Sequence, residues 1–152
     1  MDTVTYPATE VQDMLRSRFV PVRLEIRENA ALASRYNAVW TPAFLCLDAD
    51  DRVHARTFGY LPPVELMAHL ALWEGKFALD RGDYVRAERC VDEVATRWPH
   101  ASSAPEALYW KGVAFYKKGD HHGLAASWSK LRQAYPDSGW QIRSSFLFKE
   151  KG

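Results

Sequence analysis

Tyr36-Asn-Ala-Val-Trp-Thr-Pro-Ala-Phe-Leu-Cys-Leu-Asp48, continued by Ala49-Asp-Asp-Arg-Val-His-Ala-Arg-Thr-Phe-Gly-Tyr60, is the stretch that decides the fold. Residues 43–47 are almost continuously apolar, which is typical of a strand buried on both faces. Residues 52–58 alternate in character, which predicts a half-exposed partner strand. The acidic residues 48–51 between them have the composition of a turn. The stretch therefore predicts a β-hairpin that is entered through Thr41-Pro42.

Two helices and one strand are predicted upstream of the hairpin. Thr9 and Gln12 have the spacing of a capping box, followed by apolar residues at helical spacing. Residues 19–26 alternate and predict a strand, and Pro21 indicates that its start lies at an edge. Residues 29–36 predict a short helix. The apolar face of the predicted strand consists of Val20, Val22, Leu24 and Ile26.

These elements resemble the second half of a thioredoxin-like domain. The likeness rests on Val39-Trp-Thr-Pro-Ala-Phe-Leu45, the Asp-x-Asp turn, and Phe58-Gly-Tyr60 before an amphipathic helix, and it covers residues 1–72. It implies a cis Thr41-Pro42 bond in a loop that, in the family, faces two redox cysteines. By this comparison the chain begins just past the family's Cys-x-x-Cys motif and lacks two leading strands. One of these is the central strand that would separate residues 20–26 from residues 43–47.

The missing central strand leaves three arrangements open. The two remaining strands pair directly, a second chain supplies the pairing, or the natural protein extends upstream. Buried backbone groups without hydrogen-bond partners are rare, so one of these arrangements is needed.

The cysteines give no basis for redox catalysis. No Cys-x-x-Cys occurs in the sequence, and Cys46 and Cys90 are far apart. We expect both to be buried thiols, because a thiol in an apolar strand or helix has a raised pKa and is a poor nucleophile. No catalytic residue and no cofactor is therefore predicted.

The charge balance excludes the electrostatic footprint of a nucleic-acid or anionic-membrane protein. Twenty basic and nineteen acidic residues give a net charge of +1 over 152 residues. No apolar run approaches the ~20 residues of a membrane span. The first residues have neither the basic start nor the apolar stretch of a secretory signal. We expect a cytoplasmic protein.

The second half of the chain repeats with an interval of 37 residues. A long apolar helix is predicted for residues 63–80, opened by Pro62-Pro63. The repeat resembles tetratricopeptide repeats, whose usual period is 34, although Glu74 and Lys111 occupy a position where the family has leucine. The repeating residues are Gly75, Gly82, Asp83 and Pro99, which recur as Gly112, Gly119, Asp120 and Pro136.

The predicted fold class combines α/β and all-α parts. An incomplete thioredoxin-like βαββα domain, residues 1–72, precedes two tetratricopeptide-like helical hairpins and a capping helix, residues 73–152. Helix 63–80 is shared between the two parts. The capping helix begins at Asp137 or Ser138 and extends to Lys149, and Trp140, Phe146 and Leu147 are expected to cover the end of the repeats.

Two binding surfaces follow from the resemblances. In thioredoxin-like proteins the loop equivalent to Trp40, Thr41 and Pro42 offers backbone hydrogen bonds to an extended peptide; its alternative role here is only to launch the strand. The repeat groove is expected to be formed by Glu106, Tyr109, Val113, Tyr116 and Lys117. No metal site is predicted, because adjacent His121 and His122 do not converge on one ion and residues 48–51 lack the other ligands of a calcium loop.

The sequence thus predicts a non-catalytic module that binds a protein or peptide partner. One alternative is a thiol–disulfide oxidoreductase whose Cys-x-x-Cys lies upstream of the given start. Another is a homodimer that pairs its exposed strand edges. No nucleic-acid or membrane partner is expected.

Overall fold

The computed structural model describes residues 1–148 and, at Phe148, only the backbone. This part of the chain is mostly helical and contains one two-stranded antiparallel sheet, so the mixed fold class is confirmed. The elements are α1 (Thr9–Arg18), α2 (Ala30–Arg35), β1 (Ala43–Leu47), β2 (Val53–Phe58), α3 (Pro63–Asp80), α4 (Tyr84–Arg97), α5 (Ala104–Lys117), α6 (His121–Ala134), α7 (Gly139–Ser144) and a 3-10 helix (Ser145–Phe148).

The chain divides into two compact units, residues 1–67 and residues from 68 onward, and the boundary lies inside α3. The first unit contains the predicted hairpin, which is confirmed: β1 pairs with β2 in a register that sets Leu45 opposite Arg56. A bulge falls between Cys46 and Leu47. The Thr41–Pro42 peptide bond is cis, the geometry that the resemblance implies.

The N-terminal turn packs onto the hairpin. The Thr5 hydroxyl is buried and donates to the carbonyl of Leu61 at 2.7 Å. The Tyr6 ring stands edge-on to Phe44 of β1, 6.5 Å between ring centroids, and burial raises the pKa of the Tyr6 phenol. Helix α1 begins at Thr9, but the expected capping box does not form: Ala8 is the N-cap, and the Gln12 side chain donates to the carbonyl of Tyr6 instead.

The predicted strand at residues 19–26 was wrong. Residues 19–25 have no regular secondary structure, although no turn or bend interrupts them. Val20, Val22 and Leu24 are all exposed. A strand exists only as a member of a ladder, and the sheet in the described part of the chain has only β1 and β2. The observed order in the first unit is therefore ααββα, not βαββα.

The prediction that β1 is buried on both faces was also wrong. Its first four residues are half-buried and Leu47 is exposed. Burial on both faces needs covering layers on each side and neighbouring strands at each edge, whereas β1 has one neighbouring strand in the described residues.

Helix α3 has the predicted bounds, Pro63 to Asp80. Successive residues of a helix point about 100° apart, so consecutive buried positions mean that every face is covered. The helix shows this pattern in its middle turns, where the buried residues are Leu66, Met67, Ala68, Leu70, Ala71, Leu72 and Trp73.

The second unit repeats its geometry with the interval seen in the sequence. Helices α4 and α6 are both 14 residues long, and Tyr84 and His121, their first residues, are 37 positions apart. Gly82 and Gly119 precede them at φ values of +78° and +82°, a conformation that glycine adopts at no steric cost. Asp83 and Asp120 then cap the helices, each accepting from the amide three residues on.

Glycines let the helices within each hairpin approach closely. A Cβ on Gly75 of α3 would lie 2.9 Å from Val91 Cγ1 of α4. A Cβ on Gly112 of α5 would lie 2.3 Å from Trp128 Nε1 of α6. The two glycines therefore have equivalent roles at helix contacts one repeat apart.

The C-terminal elements pack on α5 and α6. Ser138 caps α7 by accepting from the amide of Trp140, and the Trp140 ring lies 5.2 Å from Tyr109. Phe146 meets the ring of Trp128 edge-on, yet it remains largely exposed, as does Ile142. The predicted covering role is thus carried mainly by Trp140. Lys149, the predicted end of the capping helix, lies outside the described residues.

Candidate functional site

The predicted loop site is accessible in the first unit. Trp40 is 68% exposed, and Val39 before it is 71% exposed. Thr41 is exposed, whereas Pro42 is half-buried and its carbonyl accepts from the amide of Gly59 at 2.8 Å. The loop therefore presents a large apolar side chain on a backbone that is anchored at its far end to the hairpin.

The loop leads directly into an unpaired strand edge. Pro42 accepts from Gly59 and Asp48 donates to the carbonyl of Arg52, so even-numbered positions of this segment direct their backbone groups toward β2. Backbone groups alternate sides along a strand, so the odd-numbered positions direct theirs toward the opposite edge. Within residues 1–148 no strand pairs with that edge. The positions concerned are Ala43, Leu45 and Leu47.

A carboxylate fixes the turn of the hairpin. Asp48 Oδ1 accepts from the amides of Asp50 and Arg52, and its Oδ2 lies 2.7 Å from His54 Nε2. The hydrogen bond from His54, followed by that from the Arg52 amide, lowers the pKa of Asp48 from 3.8 to about 2. The side chains of both Asp48 and His54 are largely buried.

Acid is expected to weaken this turn. A carboxyl pKa that folding depresses stabilises the protein above the unfolded pKa, and the stabilisation is lost as the pH falls through the folded pKa. For Asp48 the loss runs from roughly pH 4 down to about pH 2. Asp48→Asn keeps an oxygen for the two amides but removes the charge, so its stability should vary less over this window. Thermal melts followed by circular dichroism from pH 2 to 6 measure the difference, with exposed Asp13→Asn as control. Equal pH dependence in the wild type and Asp48→Asn would contradict it.

A second acidic residue connects the turn to α2. Asp51, whose φ is +65°, accepts from the Arg35 guanidinium and from the Tyr36 hydroxyl. The hydrogen bond to Asp51 raises the pKa of Tyr36. The Arg56 side chain donates to the Tyr36 carbonyl at 3.3 Å. These contacts hold the residues just before the Trp40 loop against the hairpin.

The predicted repeat-groove residues lie along α5 in the second unit, and two of them are engaged within it. Glu106 accepts from Lys76 at 2.8 Å and from the Trp110 indole at 3.0 Å. Lys76 also stands over the Trp110 ring. Glu106 thus belongs to an internal network that joins α3 to α5.

Tyr109 is the centre of an aromatic cluster. Its ring stacks on Trp128, 5.2 Å between centroids and 13° between planes, and it also contacts Trp110 and Trp140. The Trp128 indole donates to the Tyr109 carbonyl at 3.0 Å. Tyr109 was expected to face an open groove, but its ring is already in contact with three other aromatic rings.

The remaining α5 residues are more accessible. Val113 is half-buried, and Tyr116 and Lys117 are exposed. Tyr116 meets the ring of His121 edge-on at 5.6 Å. The available part of this surface is the C-terminal end of α5.

No protein-family model matches the chain. No curated protein matches it either.

No group of three or more His, Cys, Asp and Glu side chains is placed to hold a metal ion within residues 1–148. Cys46 of β1 is half-buried and Cys90 of α4 is buried. No helix in the described part of the chain is both long and apolar enough to cross a membrane.

Sequence reasoning missed two features of these surfaces. It placed Val20, Val22 and Leu24 on a strand face of a sheet, whereas the structure exposes them. It also gave no role to Lys76, since its partner Glu106 is 30 positions away and on another helix. The alternation of residues 19–26 was visible in the sequence; that no strand would pair with them was not.

Proposed function

We propose that this chain is a non-catalytic protein–protein interaction module, with an incomplete thioredoxin-like scaffold in residues 1–72 and tetratricopeptide-type repeats after it. One observation carries the proposal: an exposed tryptophan loop continues into the unpaired edge of β1. Trp40 projects into solvent, and Ala43, Leu45 and Leu47 follow on the same segment. Trp is one of the residue types enriched among the side chains that dominate binding energy.

This arrangement suits an extended peptide as the partner. A strand edge offers one amide and one carbonyl at every second residue, which is the pattern that another strand complements. Backbone pairing supplies affinity without requiring a particular sequence, while Val39 and Trp40 supply an apolar anchor next to it. The module would therefore bind a β-strand that carries at least one apolar residue near the loop.

The repeat surface supports the proposal less. Glu106 and Tyr109 are occupied by contacts within the second unit, which leaves Tyr116 and Lys117 as the accessible residues. A partner on this surface would have to displace Trp140 from Tyr109 or bind only the end of α5. We therefore assign binding to the loop and the strand edge first.

The alternative of a thiol–disulfide oxidoreductase has a direct test. Such an enzyme needs an accessible low-pKa cysteine and a nearby resolving cysteine, and the sequence offers only Cys46 and Cys90. We expect the chain to give no insulin reduction above the rate with reductant alone. Robust turnover would overturn the non-catalytic proposal, and an in-frame Cys-x-x-Cys upstream of Met1 would favour the enzyme for the natural protein.

Binding is tested with peptides selected from a displayed random library on the purified chain. A peptide enriched in the selection is labelled with a fluorophore. We expect Trp40→Ala to lower the affinity for this peptide by about 30-fold, which corresponds to the ~2 kcal/mol of a hot-spot side chain. Tyr116→Ala, which removes an exposed aromatic residue from the repeat surface, should leave the affinity within about twofold, as expected of a residue outside the binding hot spot. Fluorescence anisotropy gives both values. Failure to obtain any peptide whose binding depends on Trp40 or on Tyr116 would contradict the proposal.

A further inference from the structure

We infer that the partner at the β1 edge is a second copy of this chain, whose residues 20–24 pair with that edge while its own edge receives residues 20–24 of the first copy. The inference rests on the proposed function, because it names the partner of the same strand edge. It also goes further, since it gives residues 20–24 a pairing partner, which no strand in the described part of a single copy provides.

Residues 20–24 have the properties of a strand that lacks a sheet. Val20 is 92% exposed, Val22 76% and Leu24 53%, at alternate positions. No turn, bend or ladder pairing involves residues 19–25. Single exposed apolar side chains are ordinary on protein surfaces, but an adjacent series of them marks an interaction site.

Proline fixes which side of this segment can pair. Backbone groups alternate sides along an extended segment, and Pro21 has no amide hydrogen to donate. Pairing must therefore use the side to which Val20, Val22 and Leu24 direct their backbone groups. The open edge of β1 likewise presents the backbone groups of three residues within a five-residue strand, namely Ala43, Leu45 and Leu47. The two segments therefore match in length and in the number of backbone groups that they present.

The side chains also match. Val22 and Leu45 both direct their backbone groups into the shared edge, so they lie directly opposite each other when the two strands run antiparallel and the segments are centred on each other. Val20 then faces Leu47 and Leu24 faces Ala43, so every opposed pair on this face is apolar. Apolar cross-strand pairs stabilise a sheet, whereas a charge placed in such a pair disfavours it.

Each copy carries one exposed extended segment and one open β1 edge, and this complementarity favours a second copy over an unrelated strand. An unrelated strand that covers the β1 edge of one chain leaves residues 20–24 exposed. Reciprocal pairing about a two-fold axis covers both elements of both copies, and the assembly closes as a dimer instead of growing. We therefore expect a symmetric dimer.

Sedimentation velocity over micromolar to millimolar concentrations tests the inference. The wild type should dimerise, and Val22→Lys should raise the dissociation constant by about 100-fold or more, because it would place a lysine inside the apolar pair with Leu45. Val85→Lys is the matched control: Val85 lies on α4 with 73% exposure, close to that of Val22, and should leave the constant unchanged. A wild type that stays monomeric, or a dimer equally stable in Val22→Lys, would overturn the inference.

Cysteine cross-linking tests the register. An oxidised mixture of Val22→Cys and Leu45→Cys proteins should form a mixed dimer, since directly opposed strand residues lie within disulfide reach. Cross-linking of Leu45→Cys with itself in preference to the mixture would mean that β1 edges pair with each other, and would overturn the inference.

The outcomes also separate the dimer from the peptide-binding proposal. If the chain stays monomeric and binds a peptide in a Trp40-dependent way, the dimer is contradicted and the peptide-binding proposal stands. If the chain forms a dimer that depends on Val22, but no peptide is found whose binding depends on Trp40 or on Tyr116, the peptide-binding proposal is contradicted and the dimer stands.

Discussion

Replacing Gly112 with alanine is expected to destabilise the helical unit by about 2 kcal/mol. The added Cβ would lie 2.3 Å from Trp128 Nε1 and 2.6 Å from Trp128 Cδ1. Forcing extra volume into a packed contact costs about 1–3 kcal/mol, and alanine returns up to about 1 kcal/mol through helix propensity. We expect the packing cost to lie near the top of that range, about 3 kcal/mol, because the indole has little freedom to move, and subtracting about 1 kcal/mol of helix propensity leaves about 2 kcal/mol.

Two contacts with Tyr109 hold the Trp128 ring. It stacks on Tyr109, and its Nε1–H donates to the Tyr109 carbonyl. A displaced indole would lose the hydrogen bond and disturb the ring contact with Phe146. Urea unfolding followed by far-UV circular dichroism measures the effect through the shift of the midpoint at constant slope.

Two other glycines provide graded comparisons. A Cβ on Gly139 would meet no atom within 4 Å, so Gly139→Ala should be neutral or up to about 1 kcal/mol more stable. Gly75→Ala, with its nearest contact at 2.9 Å to a valine methyl group, should fall between the other two. Equal effects for Gly112→Ala and Gly139→Ala would contradict the close approach of α5 and α6.

The helices could be predicted from sequence because their determinants are local. Proline at residue 63 and the glycine–aspartate pairs at 82–83 and 119–120 mark helix boundaries within a few residues of the amides that they affect. The bounds of α3 and the interval between α4 and α6 followed from these residues.

The strand at residues 19–26 could not be predicted in the same way. Alternation at Val20, Val22 and Leu24 describes a face suited to a sheet, but a strand also needs a neighbour, which is a property of the whole fold. The same reason explains why β1 is less buried than its apolar sequence indicates. In both cases the sequence has the pattern of a strand that needs a further neighbouring strand, and the described part of one chain does not supply it.

The repeat-surface residues show a second limit. The resemblance to tetratricopeptide repeats predicted that Glu106, Tyr109 and Tyr116 share one helix, and all three lie on α5. Whether they are free to bind depends on side chains far along the chain. Trp140 covers Tyr109, and Lys76 neutralises Glu106. The residues of the Trp40 loop stayed accessible because the loop is anchored through its backbone and through Asp51, not through the Trp40 ring.

Amide hydrogen exchange along β1 is expected to depend on concentration at alternate residues. Phe44 and Cys46 direct their amides toward β2, so their exchange should be slow at every concentration. Leu45 and Leu47 direct theirs toward the open edge and should exchange rapidly in dilute protein. When the partner exceeds its dissociation constant by about 100-fold, the bound state is stabilised by about 2.7 kcal/mol, so these amides should slow by about 100-fold.

The most direct test of the account is therefore residue-resolved exchange of the β1 amides by nuclear magnetic resonance, in dilute and in concentrated protein and with a selected peptide. Val22→Lys serves as the variant in which the concentration dependence should disappear while the response to peptide remains. We predict that Leu45 and Leu47 gain protection on association while Phe44 and Cys46 change little. Protection of Leu45 and Leu47 already present in dilute monomer, or none gained with concentration or peptide, would contradict an open strand edge as the binding site.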